Sequence, residues 1–311
     1  MTNNVVELTY NAPKLNRTKL DFGSEDLNFL VESGRMIAQR QQDFLAERMG
    51  LKDMLVEAFR HTILSGPAGV GKTHGTMELL KTNNCKHLMV ASGESELSLI
   101  IRLAVAVASL KSGEELILVA DDADDVVFGD YKSLSKWKQA LQDPTEFVTP
   151  MIEHQVNMTN TLLQLRKAGK DAVADAVESF QNPDSIGVSI PMDRVRLLVL
   201  CNLDLEDPKA FKGKMKTAVG PVVERTNYKR MDLTVDQQWG WLAYTLSNSQ
   251  PFEEAVLSDD QKVKLLLWLK DNWPDIRREH KSYRFVRKLA EAIINHPTKY
   301  RDIWNSELKG N

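Results

Sequence analysis

The run Gly66-Pro67-Ala68-Gly69-Val70-Gly71-Lys72-Thr73 fits the GxxxxGK[ST] pattern of a phosphate-binding loop. Glycines let backbone N–H groups turn inward around the α- and β-phosphates of a nucleotide. Lys72 places a cation near the β- and γ-phosphates, and Thr73 offers a hydroxyl to Mg²⁺. The helix that starts at Lys72 and continues through His74 adds its N-terminal dipole to the same anion hole. The candidate binding residues are therefore Gly66, Pro67, Ala68, Gly69, Val70, Gly71, Lys72, Thr73 and His74.

Phosphate binding is not hydrolysis, which also needs a carboxylate-bearing strand end to hold Mg²⁺ and orient water. The aliphatic run Leu116-Ile117-Leu118-Val119-Ala120 closes on Asp121-Asp122-Ala123-Asp124-Asp125. Asp121 is the natural metal-side carboxylate, and Asp122 is placed to polarise an attacking water. Asp124 and Asp125 suit a helix start, where carboxylates meet the dipole favourably.

These residues need strands that end together. Thr62 to Ser65 has strand character ahead of the glycine loop. Leu88 to Ala91, Leu116 to Ala120 and Val195 to Cys201 supply three further apolar runs. Helical periodicity lies between them, from Met77 to Lys81, Glu96 to Leu110 and Lys132 to Gln142. Such alternation predicts an α/β fold, a parallel sheet sandwiched by helices, with ligand at the C-terminal strand ends. From Glu25 to Arg60 the apolar spacing suggests two or three short amphipathic helices. Thr149 to Phe180 looks helical, and 144–190 is expected to be a helical insertion. Beyond Asp236 strand signals disappear, and three apolar groups predict a smaller all-helical lid. The expected division is a 1–35 arm, a 36–235 core and a 236–311 lid.

In this frame the chain resembles the AAA+ ATPase family over roughly residues 40 to 300. The glycine loop matches Walker A and Leu116 to Asp122 matches Walker B, with Asp121-Asp122-Ala123-Asp124 where the family commonly has Asp-Glu-Ala-Asp. The aspartate is one methylene shorter, so slow or partner-dependent turnover is an expectation. The resemblance implies Mg-ATP held between core and lid. It makes Asn202, after the fourth strand, the polar residue that helps orient water, although asparagine also favours a strand-ending turn. Arg225, in Pro221 to Arg225, corresponds to the arginine finger that serves a neighbouring subunit, with Arg230 as the fallback. Arg284, with Arg287 as its rival, corresponds to the lid arginine on the γ-phosphate. Together with Lys72, Asp122, Asn202 and Arg225 form the implied catalytic set, and Thr73 and Asp121 the metal set. The family implies a homo-oligomer, a ring of five or six subunits, with a protein partner or client. The chain is also similar to compact AAA+ proteins of bacteriophages, some of which act in genome replication.

The loop Ala91 to Leu97 has no aromatic residue and two acids, which disfavours polypeptide threading there. A loader or remodeller in DNA metabolism, a MoxR-like chaperone for a protein complex, and an ATP-dependent assembly switch with negligible hydrolysis remain open. With a net charge of −3 no global field attracts nucleic acid, so DNA contact would be local. The lysine run Lys209, Lys212, Lys214, Lys216 is the candidate for it. From Pro144 to Ile190 six acids face three bases, a poor phosphate surface better suited to a protein partner. Cys85 and Cys201 have no metal-ligand spacing. No apolar run approaches a membrane span and MTNNVVELTYNAPK lacks signal-peptide regions, so a cytoplasmic location is expected, the host cytoplasm for a phage protein.

Overall fold

The computed structural model describes residues 22–48, 61–90, 93–122, 124, 127–140, 151–154, 158–181, 188–207, 209–248, 257–277 and 281–310. The expected arm up to residue 21, the helical positions 49–60, Asp125 and parts of the insertion (144–150, 155–157, 182–187) lie outside the described residues. Contacts divide the chain into two compact units. One contains 46–48, the last residues of the N-terminal helix, with 61–66 and the described part of 77–230. The other contains 22–45, 67–76 and 231–310. The division differs from a 1–35 arm, a 36–235 core and a 236–311 lid, because an N-terminal helix and the glycine loop both cluster with the C-terminal helices.

The first unit is built on five parallel strands: β1 (Thr62–Ser65), β2 (His87–Val90), β3 (Leu116–Ala120), β6 (Val195–Cys201) and β7 (Asn227–Arg230). Their order is β2-β3-β6-β1-β7. Every residue of β1 and β3 is buried, as central strands covered on both faces require. The expected α/β class with a parallel sheet and a C-terminal helical part is the observed one. Parallel neighbours need long crossovers. Those described here include α2 (Lys72–Thr82), α3 (Glu96–Ala108), α4 (Tyr131–Ala140) and α7 (Lys214–Glu224). Because all five strands run the same way, the segments after β1, β3, β6 and β7 emerge at one edge of the sheet.

Three readings need correction. Residues 144–190 are not purely helical: β4 (Met151–His154) pairs antiparallel with β5 (Val188–Pro191), bracketing α5 (Thr159–Lys167) and α6 (Asp171–Glu178). β7 is a fifth sheet strand hidden in the polar sequence Asn-Tyr-Lys-Arg. It lies at the edge, where an exposed lysine discourages further pairing. The expected short helices after Glu25 are one helix, α1 (Glu25–Arg48), as far as they are described.

The second unit has α8 (Val235–Asn248), α9 (Asp259–Asn272), α10 (Tyr283–Asn295) and α11 (Tyr300–Gly310), one helix more than the expected three. Phe22, Leu27 and Val31 join Trp239, Leu265, Leu289 and Trp304 in its core. Trp239 stacks on Trp273 with centroids 4.9 Å apart. The Trp304 indole N–H donates to the Leu289 carbonyl at 2.8 Å. α1 and α8 touch through backbone: a Cβ on Gly34 would fall 1.8 Å from the Gly240 carbonyl oxygen. Ser258 and Gln261 form a reciprocal capping box that starts α9.

Candidate nucleotide site

The glycine loop adopts a backbone that its glycines permit. Gly66, Gly69 and Gly71 have φ of 152°, 81° and 86°, values that side-chain-bearing residues rarely adopt. Lys72 is buried, and its ammonium donates to the Pro67 carbonyl at 3.1 Å, a bond that folds the side chain back over the loop. Pro67, Ala68, Thr73 and His74 are exposed.

Within the helical unit the loop is closely backed. A Cβ on Gly71 would lie 2.1 Å from the Trp241 ring, and one on Gly69 would lie 3.0 Å from Ser282 Cβ. Gln41 of α1 donates to the Val70 carbonyl at 3.4 Å. Ser282 caps α10, so the start of that helix, and with it Arg284 in its first turn, lies beside the loop. Arg284 is exposed, whereas Arg287 donates to Glu291 at 2.8 Å. Nothing in the sequence announced Gln41, Trp241 or Ser282 as neighbours of the loop.

In the sheet unit, the ends of β3 and β6 are joined by hydrogen bonds. Asn202 Nδ2 donates to Asp122 Oδ1 at 2.9 Å and to Asp124 Oδ2 at 2.7 Å. The Asn202 and Leu203 backbone N–H groups donate to Asp124 Oδ1 at 2.9 and 3.1 Å. Asp124 is therefore the clamp that fixes Asn202, a role beyond the helix start expected for it. The Asp122 N–H donates to Asp121 Oδ1 at 3.0 Å. Asp122 has φ 51°, in the left-handed region. Gly66, where the glycine loop leaves β1, donates its N–H to the Cys201 carbonyl at 3.2 Å, so the root of that loop is adjacent to Asn202.

The stretch after Asn202 is pinned from several sides. Ser65 donates its hydroxyl to the Leu203 carbonyl, and the Leu205 N–H donates to the Tyr228 hydroxyl at 3.2 Å. Burial pushes the Tyr228 phenol up from its ordinary value. Arg230 Nη1 lies 3.1 Å from Asp204 Oδ2. Arg225 caps the C-terminus of α7, half-buried, and its enclosed Nη1 has no hydrogen-bond partner among the described residues.

One of the two acids of the loop after β2 has a structural task. Glu94 accepts from Arg102 Nη1 at 2.8 Å and from the Ser98 hydroxyl at 2.8 Å, bracing the start of α3. Ala91 and Ser92 lie outside the described residues. No group of three or more His, Cys, Asp or Glu side chains among the described residues forms a metal site. Among the described residues no helix is long and apolar enough to cross a membrane.

No family model matches the sequence, and no curated protein matches it. Among solved structures the chain is similar to Cdc6p from Pyrobaculum aerophilum at 14% identity and a TM-score of 0.37. The match covers 88% of this chain, which spans 62% of the length of that one.

Proposed function

We propose that this chain binds and hydrolyses Mg-ATP as an AAA+-type ATPase. The observation that carries the reading is the Asp122–Asn202 hydrogen bond at adjoining strand ends, next to Gly66, the root of a glycine loop with a lysine inside it. In this reading the loop N–H groups and Lys72 hold the phosphates. Thr73 and Asp121 would supply the metal-side oxygens, and a bound Mg²⁺ would contribute charge neutralisation to the phosphates. Asp122 accepts a hydrogen bond from the attacking water, and Asn202 fixes the direction of that carboxylate. Arg284, exposed beside the loop and not engaged as Arg287 is, serves as the lid arginine. Arg225, with an uncommitted guanidinium nitrogen, serves the site of the next subunit in a homo-oligomer.

A second reading, an ATP-dependent assembly switch with negligible hydrolysis, is favoured by one fact. The short Asp122 side chain has an oxygen committed to Asn202. Calorimetric titration with Mg-ATP, alongside phosphate release by the assembled fraction, tests both readings. Lys72→Ala should weaken binding about tenfold or more through loss of charge-assisted bonds. Absence of binding at millimolar ATP by the wild type overturns nucleotide binding altogether. Turnover that Asp122→Asn abolishes excludes the switch, and binding without turnover excludes the ATPase.

A further inference from the structure

The strongest feature outside the nucleotide site is a basic surface on the sheet unit, where α4 packs against α7. Residues 131–140 and 209–223 contain no Asp or Glu. Lys132, Lys209, Lys212, Lys214 and Lys216 are exposed, and none of them forms an ion pair among the described residues. Tyr131 is 51% exposed, with Lys214 Nζ 6.0 Å from its ring centroid. Phe211, between Lys209 and Lys212, meets Phe128 at 6.4 Å and so fixes the lysine-bearing turn next to the segment that leads into Tyr131. Two flanking carboxylates accept backbone N–H groups, and Asp130 also feels the charge of Lys132. Asp130 accepts the Ser133 N–H at 2.7 Å, which holds its carboxyl below the usual range, and Asp207 accepts the Lys209 N–H at 2.8 Å.

Exposed lysines without ion-pair partners, one of them beside an exposed aromatic ring, leave charge and apolar surface to water together. Like charges repel, and the ring leaves apolar surface wet. A polyanion with flat bases resolves both problems: phosphates neutralise the lysines and a base covers the ring. An acidic protein would answer only the charge. A duplex keeps its bases stacked inside and has none to offer Tyr131. We propose that Tyr131, Lys132, Lys209, Lys212, Lys214 and Lys216 form a binding surface for single-stranded nucleic acid, with the lysines on phosphates and Tyr131 stacked on a base. This goes beyond nucleotide turnover and does not rest on it.

The experiment is fluorescence anisotropy of a labelled oligo-dT strand titrated with the full chain without ATP, over a salt series. The wild type should bind with an affinity that falls with salt, the log–log slope being about −0.7 for each phosphate neutralised. The double variant Lys212→Glu/Lys214→Glu should lose most of the affinity and flatten that slope. Tyr131→Ala should weaken binding about tenfold while Tyr131→Phe retains it, which a purely structural tyrosine hydroxyl or a charge-only surface would not produce. Thermal melting of each variant establishes that it is folded, and Mg-ATP titration of the same samples should be unchanged. No binding by the wild type at low salt overturns the proposal, as does insensitivity to the charge reversals. Equal affinity for duplex with no effect of Tyr131→Ala overturns the single-strand assignment. Competition by polyglutamate as effective as by oligo-dT also overturns it, in favour of an acidic protein.

Discussion

Asp122 stands where the resemblance leads one to expect glutamate, and its backbone supplies a physical reason. At φ 51° the residue lies in the left-handed region, which aspartate and asparagine tolerate better than longer side chains. The shorter acid is thus suited to its turn, and one of its oxygens accepts from Asn202, itself held by Asp124. Asp124→Asn should lower kcat about tenfold or more, because the Asn202 amide loses its charged anchor, while the Kd for Mg-ATP stays within about twofold. Steady-state kinetics beside calorimetric titration reads that split, and an equal loss in both quantities would make Asp124 a merely structural residue. The glycine loop and Asp121-Asp122 could be seen in the sequence because their chemistry is contained in short contiguous runs. The duty of Asp124 could not, since its partners Asn202 and Leu203 are 78 and 79 positions away.

Elements were legible in proportion to their apolar content. The buried runs Leu116 to Ala120 and Val195 to Cys201 stood out, whereas β7 offered four mostly polar residues. Met151 to His154 was hidden inside a stretch with helical spacing. α11 escaped because few apolar residues mark it, although Trp304 is only 1% exposed. The crossing of α1 with α8 was invisible too, since a glycine pair about 200 residues apart has no local pattern. Gly34→Ala should push these helices apart and cost about 2 kcal/mol or more, seen as a lower thermal midpoint. At the start of α10, burial pushes the Tyr283 phenol up to about 12 from an ordinary value of 10.0. The folded chain therefore favours the neutral phenol. That contribution is complete below pH 10 and is lost as pH rises from about 10 to about 12. Denaturant midpoints at about pH 9 and about pH 11 should show the decline, and Tyr283→Phe should make it smaller.

For the whole molecule, the proposed trans role of Arg225 makes activity a property of mixtures. Arg225→Ala subunits and Lys72→Ala subunits should each be inactive alone. Mixed, they should regain part of the turnover, since some interfaces then join an intact Lys72 to an intact Arg225. Phosphate release during a mixing series, with light scattering to follow assembly, checks this, and a flat series would restrict Arg225 to a role within its own chain.

The membership of α1 in the C-terminal unit also bears on how the protein is made. Leu27 and Val31 leave the ribosome well before Trp239, Leu265 and Leu289, which share their core. Roughly 190 residues separate Arg48 from Val235. At ordinary synthesis rates that is a wait of about 10 to 40 s for a helix whose apolar stripe has no native cover. Nascent chains of this protein should therefore be holdase clients until the helices that carry Trp239, Leu265 and Leu289 have been made, with α1 the segment that is held.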